Sequence, residues 1–240
     1  MLSERLKMIR ERIAAAARRS GRSPDEITLV AVSKGQPAEK IREAIEAGQR
    51  DFGENYAQEL SEHMNHVGAR FPRPGGETPP LQVNWHFIGH LQRNKVKTVL
   101  PQVSLIHSVD SLPLAQEIDK RAATLERMTP ILLEVNLGNE DSKTGLSPHA
   151  VEPLVREISN LAHIDLRGLM VVPPFMDDPE KTRPLFRRLR EIRDAINAQN
   201  VYKRRLSGLS MGMTHDFECA VEEGATIVRV GRGLFGEREK

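Results

Sequence analysis

The chain has a single cysteine, Cys219, among 240 residues. An intrachain disulfide and any cysteine-rich metal site are therefore excluded, and the composition suits a reducing compartment. Nor is charge of one sign in excess: 35 Lys and Arg stand against 33 Asp and Glu, a formal net charge of +2. No region is basic enough to mark a nucleic-acid partner. The short cluster Lys203-Arg204-Arg205 falls in a connection and reads as solvated. Nowhere does an apolar run approach the roughly 20 residues needed to cross a bilayer. Residues 1–19 carry charges at helical spacing and lack an apolar core, so no signal peptide is expected. The expected setting is the cytoplasm, with no membrane and no nucleic acid among the partners.

What the chain does have is alternation. An amphipathic helix is predicted over 2–20, with Leu6, Ile9, Ile13 and Ala17 on one stripe and Gly21 as its stop. Strand patterns follow at 27–34, 51–54, 83–89, 104–109, 130–136, 165–172, 206–211 and 226–231, each trailed by a helical pattern. These strands are apolar on both faces, as in parallel sheets covered by helices. With right-handed crossovers, eight such units favour a closed (β/α)8 TIM barrel over an open sheet. The expectation is one α/β domain over residues 1–240, with the extra N-terminal helix covering the amino end of the barrel. Residues 70–80, rich in Pro and Gly, read as a surface loop or insertion, and 138–148 as a polar, solvated loop.

In such barrels chemistry gathers at the carboxyl ends of the strands. The first strand pattern ends in a charge, Lys34, immediately before Gly35 and Pro37. An amine held there can attack a carbonyl and form a Schiff base. The plainer alternative is a lysine that reaches into solvent. The last two strand ends carry Ser210, Gly212, Gly231 and Gly233. A hydroxyl and glycine amides after strands seven and eight suit a phosphate, although the glycines also suit plain tight turns. An amine and a phosphate cup together point to a phosphorylated aldehyde, and pyridoxal phosphate fits. Strand alternation sends Arg229 to the same side as Gly231, into the barrel mouth. If Arg229 meets the pyridine nitrogen, that nitrogen stays unprotonated, because guanidinium only donates, and the ring becomes a poor electron sink. The alternative for Arg229 is an ion pair with a carboxylate such as Glu54. His86 and His90 read as packing residues and Met211 and Met213 as core or cofactor contacts, with no metal site. Ser33 points away from Lys34.

Several segments resemble the pyridoxal-phosphate homeostasis family, also called the proline synthetase co-transcribed family. They are Val30-Ala-Val-Ser-Lys34, Asp51-Phe-Gly-Glu-Asn-Tyr56, Trp85-His-Phe-Ile-Gly-His-Leu-Gln-Arg-Asn-Lys95, Gly168-Leu-Met170, Leu209-Ser-Met-Gly-Met213 and Val228-Arg-Val-Gly-Arg-Gly-Leu-Phe-Gly236. They follow the family's order over nearly the whole chain. The resemblance implies an alanine racemase N-terminal-domain-like barrel holding pyridoxal 5'-phosphate as a Schiff base on Lys34. It implies Ser210 and the Gly231-Arg232 amides at the phosphate, Arg229 at the pyridine nitrogen, and Asn55 and Met211 beside the ring. Position 232 is often threonine in this family and is Arg232 here; the 71–80 segment is longer than usual. The implied role is to buffer or deliver the cofactor, with pyridoxal-phosphate-dependent apoenzymes as recipients, as a monomer and without robust catalysis or a catalytic residue. The alternative is an amino-acid racemase. Racemisation needs a base on each ring face, and Tyr56 is the candidate opposite Lys34. A third reading is a cofactor-free Schiff-base aldolase.

Overall fold

The computed structural model describes residues 1–67, 83–138 and 144–237. The loop expected over 70–80, and part of the one at 138–148, lie outside these residues. Eight parallel strands pair in chain order and close when the last meets the first. They are β1 (Thr28–Val32), β2 (Asp51–Glu54), β3 (Asn84–Phe87), β4 (Leu105–Val109), β5 (Thr129–Glu134), β6 (Ile164–Met170), β7 (Gly208–Ser210) and β8 (Ile227–Val230). Helices alternate with them: α1 (Leu2–Arg19), α2 (Ala38–Glu46), α3 (Ala57–Val67), α4 (Val96–Val99), α5 (Leu112–Thr124), α6 (Pro148–Ile158), α7 (Arg183–Ala198), α8 (Phe217–Glu222) and α9 (Arg232–Phe235). The expected TIM barrel is thus the observed one.

Strand alternation sorts the side chains into two cores. Outward residues such as Leu29, Ala31, Phe52, Trp85, Phe87, Ile106 and Val228 join the apolar faces of the helices in one large core. Inward positions line the lumen. Val30 and Leu132 are fully buried there, outside that core. Gly53 sits beside Val30, and Gly208 beside Leu132. His86, His107, Ser210 and Arg229 share the lumen and are also buried. Branched apolar residues usually fill a TIM-barrel interior, so this polar set needs a reason.

The predicted stripe of α1 is buried as expected, at Leu6, Ile9, Ile13 and Ala17. Its location differs from the expectation that it covers the amino end. α1 packs along α8, α9 and α2, inside the helical ring. Arg12 and Arg19 reach Glu218 and Glu222 of α8, while Arg10 bonds the Gly48 carbonyl after α2. The reason is length: α9 has four residues and cannot cover the seam between β8 and β1, so α1 takes the place a full eighth helix would hold.

The closing seam positions the site. β1 and β8 pair with Val30 opposite Arg229 and Ala31 opposite Val230. The residues just beyond the two strands, Lys34 and Gly231, therefore leave the barrel side by side at its carboxyl end.

Candidate functional site

β1 ends at Val32, two residues before Lys34. The chain then turns, with the Gln36 N–H on the Ser33 carbonyl and Gly35 at φ +64°. Three contacts pin this turn. Ser33 Oγ donates to Glu54 Oε1 at 2.5 Å, His63 Nε2 donates to the Gln36 carbonyl at 3.0 Å, and the Gly35 N–H donates to Glu59 Oε2 at 2.8 Å. Lys34 is half-buried, and its Nζ lies 4.6 Å from the centre of the Tyr56 ring, a cation–π contact. Ser33 indeed points away from the barrel mouth.

Lys34 opens into a cavity of about 520 Å³, also lined by Asn55, Arg229, Gly231, Arg232, Met213, Thr214 and Asp216. Val32, Ile88, Val172, Pro174, Phe175 and Met176 form its apolar walls. This size and mixture are typical of small-molecule sites. A neighbouring cavity of about 820 Å³ is larger and shares Asn55, but neither Lys34 nor Arg229 lines it. The amine and the guanidinium meet in the smaller one. Asn55 is fixed by close backbone approach: a Cβ on Gly89 would stand 2.3 Å from the Asn55 carbonyl oxygen, so only glycine fits.

Arg229 is 4% exposed. Its Nη1 donates to Ser210 Oγ at 2.5 Å and its Nη2 to the Val171 carbonyl at 2.8 Å. Burial pulls the guanidinium down to about 10, while the charges of Glu134 and Asp216 work against that fall. It remains a cation at neutral pH. Burial also raises the carboxyls of Asp216, despite the Met213 N–H, and of Glu134, despite the Thr144 hydroxyl. Glu54, the alternative partner considered for Arg229, is outside the barrel, between Ser33 and His63.

Of the residues expected at the cofactor, five line the cavity: Lys34, Asn55, Arg229, Gly231 and Arg232. Two do not. Ser210 is fully buried behind Arg229, with His107 Nδ1 at 2.8 Å from its Oγ. Met211 is fully buried in the outer core. β7 stops at Ser210, and Gly212 then turns the chain with φ +91°, so the residues that return to the cavity are Met213 and Thr214. Thr214 Oγ1 accepts the Gly233 N–H at 3.3 Å, at the start of α9. Reading the strand on through Met211 hid this hydroxyl. His107 was also missed, although strand alternation in Leu105-Ile-His-Ser-Val109 turns it inward.

The donor set fits a phosphorylated pyridoxal. There is an amine on one wall, a buried cation on the floor, and a threonine hydroxyl beside glycine-flanked amides at the start of a helix. No helix among the described residues is long and apolar enough to cross a membrane.

The family model for the alanine racemase N-terminal domain matches residues 5–239. The pyridoxal phosphate homeostasis protein of Aquifex aeolicus is 44% identical, covering 98% of each chain. PipY of Synechococcus elongatus PCC7942, solved with PLP bound, is 35% identical with a TM-score of 0.84, covering 98% of this chain and 100% of that one. An alanine racemase of Clostridium difficile 630 shares the fold at 13% identity and a TM-score of 0.70, over 96% of this chain and 57% of its own.

Proposed function

The chain belongs to the alanine racemase N-terminal-domain family, together with the pyridoxal phosphate homeostasis proteins, and on that premise we propose that it binds pyridoxal 5'-phosphate and buffers or delivers it. One observation carries the reading: Lys34, Arg229 and the Gly231-Arg232 start of α9 all line a single cavity. The cofactor supplies an aldehyde and an anionic tail; Lys34 supplies the amine that would join the aldehyde as a Schiff base. The Gly231 and Arg232 amides and the Thr214 hydroxyl receive the phosphate. Arg232 is exposed, so its side chain adds a positive charge at the mouth without filling the cup. Arg229 would meet the ring as a donor, with Asn55 beside it. Ser210 and Met211 support this shell from behind.

A carrier rather than an enzyme is favoured by two features. A guanidinium against the pyridine nitrogen keeps that nitrogen unprotonated and weakens carbanion chemistry. Tyr56, the candidate opposing base, is 52% exposed and packs its ring on Lys34 itself. The one barrel then does the whole of the binding, as a cytoplasmic monomer that supplies pyridoxal-phosphate-dependent apoenzymes.

Mixing the purified protein with pyridoxal phosphate should give a visible absorption band that Lys34→Ala abolishes. A band of equal strength in Lys34→Ala would refute the role of Lys34. Incubating the loaded protein with L-alanine should give no D-isomer above the Lys34→Ala control. Clear D-alanine formation would favour the racemase reading. A protein that takes up no cofactor, yet whose Lys34 is trapped by borohydride with a carbonyl substrate, would favour the aldolase reading.

A further inference from the structure

A row of polar side chains crosses the barrel lumen from the cavity to the amino end. It runs from Arg229 on β8 to Ser210 on β7, His107 on β4, His86 on β3 and Asp51 on β2. Burying this many polar groups is costly unless each is satisfied, and the pattern of donors shows that each is.

A guanidinium only donates, so Arg229 Nη1 gives its hydrogen to Ser210 Oγ. At the far end, burial alone would raise the Asp51 carboxyl, but hydrogen bonds from His86 and Asn84 hold it below its ordinary value. It is an acceptor, and His86 Nε2–H donates to its Oδ1 at 3.3 Å. A neutral imidazole carries one N–H. His86 Nδ1 must then accept, and it does so from His107 Nε2–H at 2.9 Å. His107 Nδ1 is left as an acceptor for the Ser210 hydroxyl hydrogen at 2.8 Å. Along this row each hydrogen bond is donated in the same direction, from Arg229 towards Asp51.

The reverse order needs a second proton on His86, in the same lumen as Arg229. Burial first, and then the charge of Arg229, push the His107 imidazole well below its ordinary value, so the ring in the middle is neutral. Among the described residues no carboxylate hydrogen-bonds Arg229. Its hydrogen bonds go instead to Ser210 and to the Val171 carbonyl, and the Ser210 oxygen is polarised through two imidazoles by the Asp51 carboxylate.

We propose that Asp51, His86, His107 and Ser210 are positioning residues that act through one directional hydrogen-bonded chain to hold the Arg229 guanidinium at the floor of the cavity. What Arg229 is held for rests on the cofactor reading above; the direction of the chain does not. The role also explains why a TIM-barrel lumen that could have been filled with branched apolar residues carries two histidines.

The test has two arms. In the first, ¹⁵N-histidine NMR of the cofactor-free protein at neutral pH should show both His86 and His107 neutral with the proton on Nε2. A proton on Nδ1 of either ring, or an imidazolium, would overturn the chain. In the second, His107→Leu breaks the chain, whereas His107→Gln keeps an acceptor and a donor on one side chain. His107→Leu should bind pyridoxal phosphate about tenfold more weakly, the scale of one lost buried hydrogen bond, with a shifted absorption band. His107→Gln should restore both. Parent-like binding by a folded His107→Leu would sink the proposal. Should that variant fail to fold, Ser210→Ala cuts the same chain and should weaken binding alike; parent-like binding by it counts equally against the proposal. If the parent protein takes up no pyridoxal phosphate at all, the cofactor reading fails, while the NMR result for the chain stands or falls independently.

Discussion

Replacing His63 with leucine tests how the turn bearing Lys34 is held. Glu54 is fully buried; its Oε1 receives Ser33 Oγ and His63 Nδ1 at 2.5 and 2.7 Å, and its Oε2 has no partner among the described residues. His63 bridges this carboxylate to the Gln36 carbonyl, two residues from Lys34. Leucine removes the bridge and leaves the carboxylate with Ser33 alone. Breaking a buried charged pair costs about 3–5 kcal/mol. Leucine still fills space against Trp85, whose ring centre is 6.3 Å from that of His63, so the low end, about 3 kcal/mol, applies. For a chain of this size that lowers Tm by about 6–12 °C. The loss should depend on pH. Burial disfavours the imidazolium, but the hydrogen bond and charge of Glu54 outweigh it and raise His63 above 6.5. A raised folded value stabilises most below the unfolded one, and the contribution fades as pH rises through the folded value. The gap between parent and His63→Leu should therefore be wider at pH 6 than at pH 9, in thermal unfolding followed by circular dichroism. Adding Glu54→Gln to His63→Leu should recover part of the loss. A fall below about 2 °C, less than the shift from one lost kcal/mol, or a gap that widens with pH, would refute the ion-pair account.

Gly89→Ala would push a methyl to 2.3 Å from the Asn55 carbonyl oxygen and 2.6 Å from its Cα, so the β2 and β3 ends must part, at about 1–3 kcal/mol; a lowered denaturation midpoint and weaker cofactor retention are expected, and an unchanged midpoint contradicts the packing. Cys219 is 7% exposed and its thiol is raised to about 12, by burial first and then by Glu180, so iodoacetamide at pH 8 should label the folded protein far more slowly than the urea-unfolded one. Equal rates would contradict this. Tyr202 accepts the Leu166 N–H at 3.1 Å and donates to the Ile164 carbonyl at 3.2 Å. Tyr202→Phe strips both buried partners from β6 and should cost about 1–3 kcal/mol in chemical denaturation; a neutral effect would show that β6 does not depend on this hydroxyl.

The barrel was legible because its signal is local. Each strand run and each amphipathic stripe declares itself within a dozen residues, and alternation alone turned Arg229 inward. Lys34 was legible from the charge that ends an apolar run. The carboxyl end of β7 departs from the expected strand for a local reason too. Leu206-Ser-Gly-Leu-Ser-Met211 looks like a continuous strand, but β7 ends at Ser210, and the chain turns at Gly212 with positive φ, so that Thr214 rather than Ser210 lines the cavity. The place of α1 depended on the brevity of α9, a fact about the other end of the chain. His107 was invisible as a relay because its partners, His86 and Ser210, come from strands 21 and 103 residues away in sequence.

Lys34 is the amine proposed to capture the cofactor. Loaded protein reduced with borohydride, digested and read by mass spectrometry should carry the pyridoxyl adduct on the peptide containing Lys34. An adduct confined to another lysine, such as Lys95 of the adjoining cavity, or no adduct at all, would contradict the account.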